Sequence, residues 1–261
     1  MEKLTIIKAG GNIIDDPEAL DKLVRDFAAL PGKKILVHGG GKLATDLGTR
    51  LGIKTTLVDG RRITDAETLR VVTMVYAGWI NKTIVAKLQS ADCHAIGLCG
   101  ADGGLITAEK RTGSVIDYGF AGDCSADKIN TANFKRLFDM GFVPVLAPVT
   151  HDGKGQLLNT NADTIAAVLA AALASAYSVS LVYCFEKNGV LADPENDASV
   201  IETIEAAAFS HLIENGRVSK GMIPKLENAF LAKRSGARQV IITHARNLAA
   251  LDQSVKTEIL D

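Results

Sequence analysis

The residues of this chain best suited to chemistry are two lysines, an aspartate and an arginine set among glycine-rich turns. Lys8 closes an apolar run and is followed by Ala9-Gly10-Gly11, and Lys225 opens a helix-like segment after Gly221-Met222-Ile223-Pro224. Either lysine alone reads as an ordinary solvated charge. Together they suit a reaction in which an anionic donor meets an anionic acceptor. Phosphoryl transfer to a carboxylate is of that kind, and it needs positive charge and N–H donors along the line of transfer. Asp163, in Asn159-Thr160-Asn161-Ala162-Asp163, could orient the two lysines and limit their repulsion. The same segment also reads as an Asn-capped helix start with a first-turn acid, which needs no further purpose. Arg62, after Asp59-Gly60-Arg61, offers a planar fork suited to a carboxylate.

Two glycine runs end strand-like segments: Lys8-Ala9-Gly10-Gly11 and His38-Gly39-Gly40-Gly41. Ligands of parallel sheets collect at the carboxyl ends of strands, where a glycine turn entering a helix lets backbone N–H groups approach an anion. The plainer role of such glycines is a tight strand-to-helix turn. The second run has a competing interpretation. Gly39-x-Gly41-x-x-Ala44 fits the dinucleotide fingerprint, with Asp59 beyond the next strand-like segment and Arg61 and Arg62 as contacts for a 2′-phosphate. An NAD(P)-dependent Rossmann oxidoreductase would leave Lys8, Asn159 to Asp163 and Lys225 unexplained. The P-loop pattern is absent, since Lys42 is followed by Leu43 and the leading glycine is missing.

These residues need a scaffold that brings distant turns to one edge. Apolar β-type runs alternate with helical patterns along the whole chain, which predicts an α/β fold: three αβα layers around a mostly parallel central sheet. Strands are expected at 4–8, 34–38, 55–58, 94–99, 143–149, 180–185 and 239–243. Helices are expected at 17–30, 43–51, 65–90, 126–140, 162–173, 204–214 and 225–235. Thr64 with Glu67 reads as a capping box, Asn161 as the cap of the Ala-rich helix, and Pro224 as a first-turn residue. Residues 103–122 read as a hairpin or loop excursion. The polar stretch at 151–155 suggests a single domain over 1–261 with two lobes, about 1–155 and about 156–261.

Composition narrows the function classes. Of 261 residues, 29 are Lys or Arg and 30 are Asp or Glu, so no global field draws nucleic acid or an anionic membrane. No apolar run is long enough to span a bilayer and no signal-peptide pattern precedes residues 4–7, which predicts a cytoplasmic protein. Cys93, Cys99, Cys124 and Cys184 lack metal-binding or redox spacing and read as reduced packing residues. No metal site is expected in the chain itself.

Taken in series, Lys8-Ala9-Gly10-Gly11, His38-Gly39-Gly40-Gly41, Gly60-Arg61-Arg62-Ile63-Thr64, Asn159-Thr160-Asn161-Ala162-Asp163 and Gly221-Met222-Ile223-Pro224-Lys225 resemble the acetylglutamate kinase family of the amino acid kinase superfamily, from residue 3 to about 245. The resemblance implies the amino acid kinase fold and transfer of the γ-phosphoryl group of ATP, carried with Mg²⁺, to the side-chain carboxylate of an N-acylglutamate in arginine biosynthesis. Acetyl is the family default and succinyl an alternative. It implies that Lys8 and Lys225 stabilise the transferring group, that Asp163 holds them, and that Gly11 donates backbone N–H bonds. Gly40, Gly41, Arg62 and Asn159 would bind the acylated amino acid, in the N-terminal lobe, which would also dimerise. The nucleotide would meet Gly10, then Glu186, Lys187, Asn188, Gly189, Val190 and Leu191, and Arg217, Val218 and Ser219, largely in the C-terminal lobe. Phe185-Glu186-Lys187 departs from the Ser/Thr-Asp usual there, and Lys187 could meet a phosphate instead. The extra N-terminal helix of arginine-inhibited members does not precede the first strand, which predicts a homodimer without arginine feedback. A non-catalytic sensor on the same fold is disfavoured, since a sensor has no need to retain Lys8, Asp163 and Lys225.

Overall fold

The computed structural model describes residues 1–58, 61–113, 115–193, 195–214 and 222–261, without the side chains at 210, 212 and 214. In chain order the strands are β1 (Glu2–Ala9), β2 (Lys33–His38), β3 (Leu57–Val58), β4 (Arg61–Arg62), β5 (Ala95–Cys99), β6 (Glu109–Lys110), β7 (Ala121–Asp123), β8 (Val143–Ala147), β9 (Val149–His151), β10 (Leu157–Thr160), β11 (Tyr177–Phe185), β12 (Thr203–Glu205), β13 (Gln239–His244) and β14 (Thr257–Leu260). The α-helices are α1 (Gly11–Asp15), α2 (Pro17–Ala29), α3 (Gly41–Arg50), α4 (Ala66–Thr73), α5 (Asn81–Gln89), α6 (Thr131–Asp139), α7 (Ala162–Leu173), α8 (Ala206–Glu214) and α9 (Ile223–Arg234).

Eight strands form the central sheet in the order β12-β14-β13-β11-β1-β2-β8-β5. All neighbours are parallel except β13 and β14. Successive strand side chains point to opposite faces, and both faces are apolar here. Leu4 and Ile6 of β1, Ile35 and Val37 of β2, and Leu181 and Tyr183 of β11 face α7 and α9. Ile7, Leu36 and Val182, in the opposite phase, face α2, α4 and α5. This gives the expected three layers. Lys8 is in phase with Leu4 and Ile6, so it points toward α7 and α9. The pairing of β1 with β11 runs from Glu2–Tyr177 to Ala9–Cys184, so the two halves of the chain share one sheet.

Several expected elements are placed differently. The run at 143–149 divides at Pro148, which has no N–H to continue a ladder. β8 stays in the main sheet, while β9 joins a second sheet of order β6-β7-β10-β9. The polar stretch at 151–155 runs from the last residue of β9, His151, into the turn of the antiparallel β9–β10 hairpin. The expected strand at 55–58 shortens to β3, which pairs antiparallel with β4 away from the main sheet. The helix expected over 65–90 is continuous, but Met74–Ile80 between α4 and α5 adopts the wider π-helical winding. Its cap is Asp65, whose carboxylate accepts from Thr68 N at 2.7 Å. Thr64 is no capping box, because its hydroxyl donates to Arg62 O at 3.0 Å. The segment 126–140 is a 3-10 turn, Ala126–Lys128, followed by α6 with Asn130 as its cap. Strands β12 and β14 at the sheet edge were not expected; three or four residues carry too little pattern to declare a strand.

Replacement of an N-cap acid costs about 1 kcal/mol. Asp65→Ala is therefore expected to lower the urea midpoint by an amount equivalent to about 1 kcal/mol, and an unchanged midpoint would assign the cap elsewhere.

Candidate active site

The phase of β1 brings the predicted charges together. Lys8 Nζ lies 2.6 Å from Asp163 Oδ1, with side chains only 6% and 12% exposed. Asp163 occupies the first turn of α7, and Asn161 caps that helix by accepting from Asp163 N at 2.8 Å and Thr164 N at 3.1 Å. The cap and the ion pair thus coexist. Burial by itself would raise the Asp163 carboxyl, but the ammonium groups of Lys8 and Lys225 outweigh it and hold the group below its ordinary 3.8. Burial depresses Lys225, with Lys8 adding to that effect and Asp163 and Glu186 opposing it. One carboxylate facing two ammonium groups leaves a surplus positive charge in a site of low polarity, where charge acts strongly.

Phe185, at the end of β11, completes this cluster. Its ring centroid lies 4.0 Å from Lys225 Nζ and 5.6 Å from Lys8 Nζ. A ring face attracts a cation, so Phe185 forms a floor under both lysines. Sequence alone marked it as a departure and gave it no role.

The two glycine turns abut because β1 and β2 are neighbours. A Cβ on Gly11 would lie 4.0 Å from Gly40 N. Gly40 has φ +147°, and a Cβ there would come within 2.1 Å of Ile80 Cδ1, so no side chain fits. Beside this turn a cavity of about 370 Å³ is lined by Gly40, Gly41, Arg62, Tyr76, Arg111 and Asn159, among others. Arg62 is buried and held in place: Nη1 donates to Thr55 Oγ1 at 3.0 Å, and Nη2 donates to Gly41 O at 2.8 Å and Thr45 Oγ1 at 2.9 Å. Asn159 Nδ2 donates to Thr64 Oγ1 at 3.0 Å. Arg111 was absent from the sequence reading. It pairs with Asp123, Nε lying 3.0 Å from Oδ2, and only the hairpin of β6 and β7 carries it to the cavity. Such an arrangement suits a ligand bearing a carboxylate and amide groups.

The expected nucleotide stretch follows β11. Gly10 N donates to Cys184 O at 3.0 Å, and Asn12 Nδ2 donates to Glu186 Oε1 at 3.0 Å, which ties the first turn to this stretch. Lys187 is exposed and pairs with Asp197 at 2.6 Å. Asn188 Oδ1 accepts from Arg246 at 3.4 Å. Val190 N donates to Thr257 Oγ1 at 2.8 Å, a Cβ on Gly189 would meet the same hydroxyl at 2.6 Å, and Leu191 bridges Val200. Arg217, Val218 and Ser219 lie outside the described residues, as do Asp59, Gly60 and Gly221.

The dinucleotide reading fails on topology. Its fingerprint requires a strand, a helix and a second parallel strand of the same sheet ending near the acidic residue. Here α3 leads to β3, which among the described residues pairs with β4 and lies outside the central sheet.

The stability contributed by the ion pair carries a pH signature. Asp163 is depressed in the folded protein, so its contribution is complete above the unfolded value and is lost as pH falls through the folded one. The stability gap between wild type and Asp163→Asn, read from urea midpoints, is expected to stay constant from about pH 7 to about pH 5 and to close below about pH 4. A gap that widened on acidification would contradict this charge assignment.

The model of the amino acid kinase family matches residues 3–244. An acetylglutamate kinase of Cytophaga hutchinsonii is 55% identical over 98% of this chain and 97% of its own. One from Phocaeicola vulgatus is 55% identical over 94% of each. Among solved structures, the N-acetylglutamate synthase of Neisseria gonorrhoeae with coenzyme A and N-acetyl-glutamate superposes with a TM-score of 0.81 at 22% identity, covering 99% of this chain and 59% of that one. By the extent of the family match and the identity to these relatives, the chain belongs to the amino acid kinase family.

Proposed function

We propose that this protein transfers the γ-phosphoryl group of ATP to the side-chain carboxylate of N-acetyl-L-glutamate, or of another N-acylglutamate, giving an acyl phosphate. The observation that carries this reading is the buried pair of Lys8 and Asp163 with the half-buried Lys225 near them, beside a cavity that holds Arg62 and Asn159. The relatives named acetylglutamate kinase support acetyl as the acyl group.

In this reading Arg62, Asn159, Gly40 and Gly41 hold the acylated amino acid, with the guanidinium on a carboxylate. The side-chain carboxylate then attacks the γ-phosphorus in line with the departing ADP oxygen. The P–O bond to ADP breaks as the new one forms, and no covalent enzyme intermediate is needed. Charge spreads over the equatorial phosphoryl oxygens at the midpoint of transfer. Lys8 and Lys225 meet that charge, Gly11 adds a backbone N–H, and Asp163 keeps the two ammonium groups apart and correctly placed. Gly10, residues 186–191 and residues 217–219 serve the nucleotide, and Mg²⁺ arrives as part of the substrate, MgATP. Among the described residues no cluster of three or more His, Cys, Asp or Glu could hold a metal ion.

The reading extends to an N-terminal lobe for the amino acid and a C-terminal lobe for ATP, joined through one sheet, and to a homodimer acting in the cytoplasm in arginine biosynthesis. Among the described residues no helix is long and apolar enough to cross a membrane.

Incubation with ATP, Mg²⁺ and hydroxylamine is expected to yield an acyl hydroxamate from N-acetylglutamate and little from free glutamate or aspartate. Absence of hydroxamate from every N-acylglutamate tried would overturn the proposal. Lys8→Ala is expected to lower kcat by about 10²–10³-fold with a small change in KM, as for loss of a donor that acts in the transition state. A loss confined to KM would remove Lys8 from that role.

A further inference from the structure

Behind the Gly39–Gly41 turn runs a chain of hydrogen bonds that the reaction does not itself use. His38, the last residue of β2, is 0% exposed. Its Nδ1 lies 2.9 Å from the carbonyl oxygen of Gly39, and its Nε2 lies 3.2 Å from Asn81 Nδ2. Asn81 Nδ2 also donates to Val145 O at 3.0 Å. Lys82 Nζ donates to Asn81 Oδ1 at 3.1 Å and to Gly97 O at 2.7 Å.

One assignment of hydrogens satisfies every member. A carbonyl only accepts, so Nδ1 of His38 carries the ring hydrogen, and Nε2 is then free to accept from the Asn81 amide. The amide is fixed in that sense because its oxygen faces an ammonium group. Burial lowers the His38 pKa to about 4, with the Gly39 bond opposing and Lys82 adding to the decrease. The ring is therefore neutral at physiological pH, as two donor–acceptor bonds of this kind require.

The chain occupies space that a single missing side chain provides. A Cβ on Gly97, in the edge strand β5, would lie 2.0 Å from Asn81 Oδ1, 2.8 Å from Val85 Cγ2 and 2.9 Å from Lys82 Nζ. On the side of the turn, the π-wound segment places Ile80 and Tyr76 under Gly40, and Asn81 follows directly. Such windings often mark functional sites. Here the segment sets Tyr76 and Ile80 against the turn and the following Asn81 against the ring of His38.

We propose that His38 and Asn81 are positioning residues, which fix the Gly39 carbonyl and so the tilt of Gly40 and Gly41 at the acyl-substrate cavity, and that Gly97 is bare to admit them. The catalytic consequence rests on the kinase reading above; the positioning itself does not.

The test compares wild type with His38→Leu, His38→Asn and Gly97→Ala by steady-state kinetics and by ¹⁵N spectra of the imidazole and glycine amides. His38→Leu is expected to raise KM for N-acetylglutamate about tenfold while KM for ATP stays within about twofold. His38→Asn, whose amide nitrogen can stand where Nδ1 stood, should recover to within about threefold of wild type, and Gly97→Ala should resemble His38→Leu. The wild-type ring should remain in the neutral Nδ1–H form from about pH 5.5 to 8. The Gly40 and Gly41 amide signals should move in His38→Leu and hold in His38→Asn. Equal losses in the two His38 variants, a parallel rise of both KM values, unmoved glycine amides or an Nε2–H ring would overturn the proposal. Should wild type phosphorylate no N-acylglutamate, the kinase reading fails, and the glycine amide comparison still decides the positioning.

Discussion

The ion pair between Lys8 and Asp163 is the constraint on which the site depends. Both groups are almost wholly withdrawn from water, and removing one partner of a buried pair typically costs about 3–5 kcal/mol because the other charge is left uncompensated. Such a pair is poor evidence of stability, since apolar residues of equal volume often serve as well. Its retention beside a third charge, Lys225, therefore points to a task beyond folding. Strand phase makes the pair possible. Lys8 shares a face with Leu4 and Ile6, so the last inward position of β1 delivers a cation to the first turn of α7.

The second constraint is the closeness of the two glycine turns. Because β1 and β2 are adjacent and parallel, their carboxyl ends lie side by side, and helices α1 and α3 start from neighbouring turns. Bulky residues at Gly11 or Gly40 would separate these starts. The absence of side chains at this point brings backbone N–H groups from both turns to one place, beside the surplus charge of the lysines. Phe185 closes the floor of the site without bringing a competing anion.

Much of this was legible from residue types. The alternation of apolar runs and helical patterns gave the layers, and the main-sheet strands of buried, near-continuous apolar character fell where expected. Asn161 was legible as a cap because its chemistry is local. What depends on distant contacts was not legible. Arg111 reaches the cavity only through a hairpin lacking a strong pattern, and Phe185 gains its role only when α9 lays Lys225 across its ring. Thr64 is not a cap because its hydroxyl answers to Arg62 and Asn159, partners that spacing cannot reveal. The division of the run at 143–149 followed from Pro148, a residue whose missing donor was visible but whose consequence required a second sheet to receive β9.

In the proposed reaction a carboxylate oxygen of the acylated amino acid becomes bonded to the transferred phosphorus. Oxygen-18 placed in the side-chain carboxylate of N-acetylglutamate tests it most directly, with the product cleaved by hydroxylamine and the released phosphate analysed by mass. Attack of hydroxylamine at the carbonyl carbon leaves the bridging oxygen on phosphorus, so each hydroxamate formed is expected to be matched by one phosphate carrying one labelled oxygen. Unlabelled phosphate would mean that water, and not the carboxylate, takes the phosphoryl group, and would contradict it.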